Sequence, residues 1–221
     1  ITYNMIAAAN GDTFPQIAGF KYAGLGILSG ETYTEVKIAG DGTSVVNVYY
    51  KRLSYTLTVN YLYGDTDEVL ATSASNSYAY GQAYDVKAIE IKGYSYVSGE
   101  ESGNMPAADK TINIRYKEIT YTISYNVDGG NALTGLEKDG EYYVQTYTVR
   151  AAAALAQPTK TGYGFEYWKV EEDVLDGDTV LYAKDSQFTS TITKGKYGNV
   201  KLVAVWGADT NSVTFNLTNV T

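Results

Sequence analysis

The sequence predicts a mainly β protein built from small repeated domains, and three observations carry that prediction. Tyrosine is abundant, with 23 residues against 5 phenylalanines, and aromatic residues favour strands. Apolar and polar residues alternate with a period of two in several segments, which is typical of half-buried antiparallel strands. Two phrases also recur along the chain, and internal repetition indicates a tandem architecture.

The longer phrase, here called the junction motif, marks the passage from one repeat to the next. VYYKRLSYTLTVNY at 48–61 aligns with IRYKEITYTISYNV at 114–127, and VAVWGADTNSVTFNL at 203–217 is a looser third copy. Each copy contains the end of one alternating strand, a short polar break and the start of another strand. The aligned anchor residues are Tyr50, Tyr116 and Trp206.

Alternation in the second copy shows which side chains should be buried. The predicted core face of the closing strand consists of Ile112, Ile114 and Tyr116, opposite Asn113, Arg115 and Lys117. The predicted core face of the next strand consists of Tyr121, Ile123, Tyr125 and Val127. One buried face and one wet face are the pattern of an antiparallel sheet.

The junction motifs divide the chain into four segments. We predict a partial repeat unit at 1–53, complete units at 54–118 and 119–207, and a first strand of a further unit or a C-terminal strap at 208–221. Linkers of only a few residues limit hinge angles, so we expect tandem repeats in a semi-rigid, elongated array. The chain looks like a piece of a longer protein.

Within a complete unit the order is two strands, a short crossing segment and two more strands. This order predicts a small α+β domain of the β-grasp, or ubiquitin-like, type. RAAAALAQP at 150–158 supplies the crossing in the second complete unit, and its alanines predict one or two helical turns before Pro158.

A shorter phrase, here called the aromatic motif, is a glycine followed by an aromatic, one spacer and another aromatic. It occurs as GFKYA at 19–23, GYSYV at 93–97 and GYGFE at 162–166. Recurrence at one topological position favours a structural role, with the glycine at a positive φ or a close approach and the aromatics in the core. Strand alternation then predicts that Tyr94 and Tyr96 are both largely buried. The alternative is a sugar-stacking platform, for which the candidate ligand contacts are Tyr94, Tyr96, Tyr167 and Trp168.

Composition argues against several function classes. Lys and Arg total 17 against 25 Asp and Glu, and the net charge of -8 opposes general affinity for nucleic acid or anionic membrane. The chain has no histidine and no cysteine, which excludes His-assisted nucleophiles, disulfides and most zinc sites. No apolar run approaches the roughly 18 residues of a membrane span, so we expect no membrane insertion of this segment. We predict no enzymatic activity, no catalytic residues and no cofactor.

Acidic clusters and lysines are weaker candidates. The acidic residues fall in two groups, Asp65, Asp67 and Glu68, and Asp173, Asp176 and Asp178. Neither group has the spacing of a calcium loop, so we interpret both as solvated turns and predict no metal site. A Lys–Asn isopeptide bond stays an open alternative for residues among apolar neighbours, namely Lys37, Lys92, Lys201, Asn47 and Asn113.

Longer stretches resemble known repeat families. Residues 54–118 resemble a mucin-binding-protein-type repeat through YTLTVNYLYGDTDEVL, IKGYSYVSG and KTINIRYKE. Residues 119–207 resemble a Listeria–Bacteroides repeat, the internalin B-repeat type, through YTISYNVDGGN, QPTKTGYGFEYWKV and KYGNVKLVAVW. The second stretch departs from its family at Tyr167, which stands where glycine usually precedes the tryptophan.

The resemblance implies a non-enzymatic extracellular module, a stalk or spacer in an adhesin on the surface of a Gram-positive bacterium. Attachment to the cell wall would run through parts of the chain not present here. Its expected partners are neighbouring repeats of the same chain, together with a host mucin, another glycoprotein or a cell-wall component. The alternative is an adhesive module that binds mucin glycans or a surface protein through exposed Tyr and Thr faces or a free sheet edge.

Overall fold

The computed structural model describes residues 14–29, 32–34, 39–45 and 47–209. All regular secondary structure in these ranges is β, which confirms the prediction of a mainly β fold. The chain divides into two compact units. The first comprises Ile1–Ile89 and Tyr96–Tyr116, and the second comprises Glu90–Ser95 and Lys117–Thr221. The repeat boundaries predicted after residues 53, 118 and 207 stay a prediction.

Nineteen strands form the described structure. Those up to residue 118 are β1 (Phe20–Ser29), β2 (Thr32–Thr34), β3 (Asn47–Arg52), β4 (Ser54–Tyr63), β5 (Val69–Ala79), β6 (Ala83–Val86), β7 (Tyr94–Ser98), β8 (Glu101–Asn104) and β9 (Lys110–Glu118). The others are β10 (Tyr121–Asn126), β11 (Glu137–Asp139), β12 (Tyr142–Tyr147), β13 (Ala153–Ala154), β14 (Tyr163–Val170), β15 (Val174–Asp176), β16 (Thr179–Tyr182), β17 (Gln187–Phe188), β18 (Thr191–Ile192) and β19 (Val200–Ala208).

The segments predicted as complete repeats, 54–118 and 119–207, share one pattern of strand pairing. In the order β5-β4-β9-β7, the first strand β4 pairs antiparallel with β5 and parallel with the closing strand β9. In the order β11-β12-β10-β19-β14-β17, β10 likewise pairs antiparallel with β12 and parallel with β19. Smaller sheets are β2-β1-β3, β6-β8, β13-β18 and β15-β16. A parallel pair of first and last strands requires a long crossing between them, which the intervening strands provide.

The predicted alternation places the core correctly. Ile112, Ile114 and Tyr116 are at most 4% exposed, whereas Asn113 and Lys117 face solvent. In the second unit Ile123 and Tyr125 of β10 are fully buried and pack with Leu202 of β19. Because both central strands bury alternate apolar residues, the hydrophobic core lies against one face of each sheet.

The helical turns predicted at 150–158 are wrong, and with them the α part of the α+β prediction for the described residues. Ala153 and Leu155 are buried while Ala154 is exposed, a period of two rather than 3.6. The Leu155 N–H donates to the carbonyl of Ser190 at 2.8 Å, and Ala153–Ala154 pairs with β18. Four alanines before Pro158 are too few to nucleate a helix against these tertiary contacts.

A β-bulge changes the facing of side chains in β14. The register with β19 shifts between Phe165, opposite Trp206, and Tyr167, opposite Val205. The extra residue lets Phe165 and Trp168 turn to the same core, where their rings lie 5.3 Å apart. Strict alternation would have placed these two rings on opposite faces of the sheet.

Candidate functional site

Each aromatic motif begins in the same reverse turn. The N–H groups of the first aromatics donate to the carbonyl three residues earlier, Phe20 to Ile17, Tyr94 to Ile91 and Tyr163 to Lys160, at 3.0, 3.0 and 3.1 Å. The glycines occupy the third turn position with φ values of 80°, 80° and 78°, in the order Gly19, Gly93 and Gly162. A positive φ at that position defines a type II turn and favours glycine. The structural role predicted for these glycines is confirmed.

The aromatic motif and the junction motif meet in space. The carbonyls of Gly19, Gly93 and Gly162 each accept a hydrogen bond from a residue that follows a closing strand. The donors are the N–H groups of Leu53, Ile119 and Asp209, at 2.8, 2.9 and 3.2 Å. The aromatic motif and the junction motif are far apart in sequence, but they are joined by a hydrogen bond in the folded chain. This arrangement occurs three times.

Two of the three anchor residues of the junction motif donate a hydrogen bond to the segment that leads into a turn. Tyr50 Oη donates to the carbonyl of Pro15, and Tyr116 Oη donates to the carbonyl of Ile89, both at 2.9 Å. Pro15 and Ile89 each lie four residues before the glycine of their motif. The third anchor differs, because Trp206 Nε1 donates to the carbonyl of Val127 at 3.1 Å.

Each aromatic motif also presents one exposed tyrosine. Tyr22, Tyr96 and Tyr163 are 42%, 44% and 46% exposed. The prediction that Tyr94 and Tyr96 are both largely buried is wrong for Tyr96, while Tyr94 is half-buried. The reason is that β7 is an edge strand with β9 as its sheet neighbour, so its second aromatic reaches the rim of the core.

The four candidate ligand contacts occupy different environments. Trp168 is fully buried, its ring centre lies 4.7 Å from that of Tyr125 in a tilted arrangement, and its Nε1 donates to the carbonyl of Ala156 at 2.8 Å. Tyr94 and Tyr167 are half-buried. Of the four, Tyr96 is the one whose ring is exposed, and its Oη accepts a hydrogen bond from the Glu100 N–H at 3.2 Å.

Sequence reasoning did not single out the aromatic groove beside the third turn. Lys160 Nζ lies 4.9 Å from the ring centre of Tyr163 and 5.6 Å from that of Trp206. It also donates to the carbonyl of Asp128 at 2.8 Å. These residues border an open cavity of about 370 Å³. The signal in the sequence was Tyr163 itself, the first aromatic of the motif.

A chain of side-chain hydrogen bonds crosses the solvent face of the sheet formed by β5, β4 and β9. Ser73 Oγ donates to Asn60 Oδ1 at 2.7 Å, and Asn60 Nδ2 donates to Asn113 Oδ1 at 2.9 Å. The hydroxyls of Thr58 and Ser75 lie 3.2 Å apart beside this chain. We call these five residues the polar sheet face. Its uncharged hydroxyls and amides can exchange hydrogen bonds with a hydroxyl-rich ligand.

The two acidic clusters lie in different environments. Asp65, Asp67 and Glu68 are exposed between β4 and β5. Asp176 Oδ2 accepts hydrogen bonds from Lys92 Nζ and Tyr197 Oη, both at 2.8 Å, and these bonds lower the pKa of the Asp176 carboxyl. In the described part of the chain, no three His, Cys, Asp or Glu residues form a metal-binding group.

The lysines and asparagines considered for an isopeptide bond have other partners where the structure describes them. Lys92 pairs with Asp176, and Lys201 pairs with Glu172 at 3.0 Å. Asn113 accepts its bond from Asn60, and Asn47 Nδ2 lies 3.5 Å from Tyr49 Oη. Lys37 lies outside the described residues.

Comparison with known families identifies one part of the chain. A family model described as MucBP domain matches residues 56–117, the segment from β4 to β9. No curated protein matches the chain. Across the ranges that the structure describes, no helix is long and apolar enough to cross a membrane. The resemblance of residues 119–207 to a Listeria–Bacteroides repeat stays a prediction, whereas the resemblance of residues 54–118 to a mucin-binding-protein-type repeat is confirmed by the match.

Proposed function

We propose that this chain is a non-enzymatic extracellular repeat module that serves as a stalk or spacer in a bacterial cell-surface adhesin. The observation that carries the proposal is one structure that occurs three times. It is a type II turn whose glycine carbonyl accepts a hydrogen bond from the residue that follows a closing strand. A spacer needs the same joint at each repeat. The single-residue connection at Leu53 between β3 and β4 supports the same function, because short connections restrict hinge motion.

Small-angle scattering tests the spacer proposal. A compact globule of this length has a radius of gyration of about 17 Å. We expect the chain in solution to exceed that value clearly, with a distance distribution that is skewed to long distances. A radius of gyration close to the compact value would contradict a spacer.

The location on the surface of a Gram-positive bacterium, with attachment to the cell wall, belongs to the same proposal. It is supported by the MucBP match at 56–117. Labelling of intact cells with an antibody against residues 54–118 tests it. Signal on unpermeabilised cells is expected, and labelling that requires permeabilisation would contradict it.

A second candidate function is adhesion to host mucin glycans, another host glycoprotein or a cell-wall component. The observations in its favour are the MucBP match and the polar sheet face that lies within the matched segment. Neutral hydroxyl and amide groups suit sugar hydroxyls, and tandem repeats multiply a weak contact through avidity.

Binding to immobilised mucin at high protein density tests this second function. The double variant Asn60→Ala with Asn113→Ala removes the hydrogen-bond chain, and Tyr96→Ala removes the exposed ring. We expect the double variant to lose binding if the polar sheet face is the site. Asn76→Ala is the matched control, because Asn76 is an exposed residue of β5 that pairs with the core-facing Leu57 and so points to the other face. Equal binding by all variants would exclude both surfaces, and no binding above background would exclude adhesion to that mucin.

A further inference from the structure

Two of the three turn glycines are covered by a side chain from the repeat that follows them. A Cβ built on Gly19 would lie 2.1 Å from Cγ of Tyr80, and a Cβ built on Gly93 would lie 2.2 Å from Cγ1 of Val149. Real Cβ atoms do not approach so closely, so these positions require glycine for space as well as for φ. Both contacts lie inside a compact unit, the first inside the first unit and the second inside the second.

The two covering side chains are equivalent. Tyr55 of β4 pairs with Tyr78, and Tyr121 of β10 pairs with Tyr147. Tyr80 and Val149 each lie two residues beyond those pairs, just after β5 and β12, the strands that pair antiparallel with the first strand of each repeat. An aromatic and a β-branched side chain therefore do the same task, which identifies the contact as apolar packing against the glycine.

The third copy of the turn has the same geometry without a cover. Gly19 and Gly93 are buried, whereas Gly162 is exposed, and a Cβ built on it would meet no atom of the described residues within 4 Å. The first aromatic of the motif shows the same contrast. Phe20 packs edge-on against the Tyr80 ring at 5.6 Å, but Tyr163 at the matching position is 46% exposed.

We propose that Gly162 and Tyr163 form the docking surface for a following β repeat, the repeat whose first strand is predicted within 208–221. The contact comes from the end of the strand that pairs antiparallel with that first strand. This inference rests on the proposed spacer function. Tyr80 lies 27 residues after Leu53 (80 − 53), and Val149 lies 30 residues after Ile119 (149 − 119). The partner side chain is an apolar residue at the matching distance after Asp209, because Asp209 holds the position of Leu53 and Ile119.

Polar contacts near the turn are specific to one copy. Lys92, the residue before Gly93, pairs with Asp176, whereas Ala18 and Thr161 precede the other two glycines. The Lys92–Asp176 ion pair is therefore not a feature that the three turns share. The docking surface at Gly162 accordingly selects its partner by shape and apolarity. Burial of apolar area without a charge requirement suits joints between repeats of different sequence.

The test is an extended chain in which residues 1–209 are followed directly by a second copy of residues 120–209, so that Asp209 takes the place of Ile119. Tyrosine nitration is mapped by peptide mass spectrometry in the extended and in the 221-residue chain. To distinguish the two copies of Tyr163, the second copy carries Tyr163→Phe. We expect nitration of Tyr163 to fall several-fold on extension, whereas nitration of Tyr96, 44% exposed, stays constant.

Variants of the appended repeat separate docking from general crowding. Val149→Ala in the second copy removes most of the covering side chain, and Val149→Glu places a charge against the glycine. Both should restore the nitration of Tyr163, the second more fully. Circular dichroism of each extended chain shows whether the appended repeat has folded, and Val149→Ala keeps the test valid if Val149→Glu prevents folding.

Unchanged nitration of Tyr163 in a folded extended chain would overturn the docking surface. Protection of Tyr163 in the 221-residue chain by mucin glycans, but not by the appended repeat, would overturn it in favour of a sugar site beside Lys160 and Trp206. Scattering keeps the two proposals distinct. An extended particle with a reactive Tyr163 contradicts only the docking surface, and a compact particle contradicts the spacer function.

Discussion

The phenol oxygens of Tyr147 and Tyr182 lie 2.8 Å apart in the core of the second unit. Tyr147 Oη also donates to the carbonyl of Gly198, which leaves Tyr182 as the donor within the pair. Both side chains are at most 6% exposed. The pair gives the buried Tyr182 hydroxyl an acceptor, and a buried hydroxyl without a partner is destabilising.

This pair predicts a loss of stability in alkaline solution. Burial raises the pKa of both phenols, and it raises the pKa of Tyr125 in the same core to about 12. A raised pKa means that the folded chain holds these protons at a pH where the unfolded chain, with a tyrosine pKa of about 10, has begun to release them. The free energy of unfolding is therefore unaffected below about pH 10 and falls as the pH rises through the folded pKa values.

Thermal unfolding followed by near-UV circular dichroism, across about pH 8 to about pH 12, checks the alkaline prediction. Tyr182→Phe should reduce the slope above pH 10 while lowering stability at neutral pH by about 1 kcal/mol, the net value of one hydrogen bond. Tyr96→Phe is the control, because that phenol lies outside the core. An identical pH profile for Tyr182→Phe and the parent chain would rule out this origin.

The contact between Gly93 and Val149 predicts unequal effects of two identical substitutions. Gly93→Ala and Gly162→Ala both place a side chain at a positive φ, which costs about 1–2 kcal/mol. Gly93→Ala also drives a Cβ into Val149, and overpacking adds about 1–3 kcal/mol. Urea unfolding should therefore show a larger loss for Gly93→Ala.

Combining Gly93→Ala with Val149→Ala tests the origin of that difference, because the smaller side chain leaves room for the new Cβ. The double variant should lose less stability than the sum of the single variants. Equal losses for Gly93→Ala and Gly162→Ala would show that φ strain alone matters at these turns.

Truncation of Trp168 should cost much more stability than truncation of Tyr96, although both belong to aromatic segments of similar sequence. Trp168→Ala removes a fully buried ring and its bond to Ala156, and such truncations cost about 3–5 kcal/mol. Tyr96→Ala removes a ring that is 44% exposed and accepts one hydrogen bond, so it should cost less, about 1 kcal/mol. Denaturant midpoints measure both, and a small effect of Trp168→Ala would contradict the described core.

The two tyrosine anchors should also differ. The Tyr116 hydroxyl donates to the carbonyl of Ile89 at 2.9 Å and accepts from its N–H at 3.0 Å. Among the described residues, the Tyr50 hydroxyl makes one bond, to the carbonyl of Pro15. Tyr116→Phe leaves two backbone groups without their partner and should cost about 1–3 kcal/mol. Tyr50→Phe, at a half-buried site, is the matched comparison and should cost less. The reverse order in thermal unfolding would contradict the anchoring role.

The alternation of apolar and polar residues was sufficient to predict which side chains are buried wherever a strand follows a period of two. Alternation predicts that Ile112, Ile114 and Tyr116 lie in the core, where the structure has them, because a strand with one wet face imposes a period of two. The recurrence of the glycine at 19, 93 and 162 likewise indicated a structural role. The positive φ at the third position of a type II turn favours glycine, so each copy of the turn carries glycine in its own sequence.

Contacts between residues far apart in sequence decided the features that alternation did not predict. The bulge between Phe165 and Tyr167 turned Phe165 and Trp168 to one core, and pairing with β18 drew the alanine run at 150–158 into an extended form. The exposed fractions of Tyr96 and Tyr163 also depend on tertiary contacts, because the residues packed beside each ring come from elsewhere in the chain.

The sequence by itself determined the β class, the repeated turn and the alternating core, because each follows from the preferences of neighbouring residues. Only the tertiary structure decided which copy of the turn is covered. Gly19 and Gly93 carry the same conformation as Gly162, and the difference lies in Tyr80 and Val149, side chains more than fifty residues away along the chain. Packing against a partner distant in sequence leaves no local pattern, so it becomes visible only when the chain is folded.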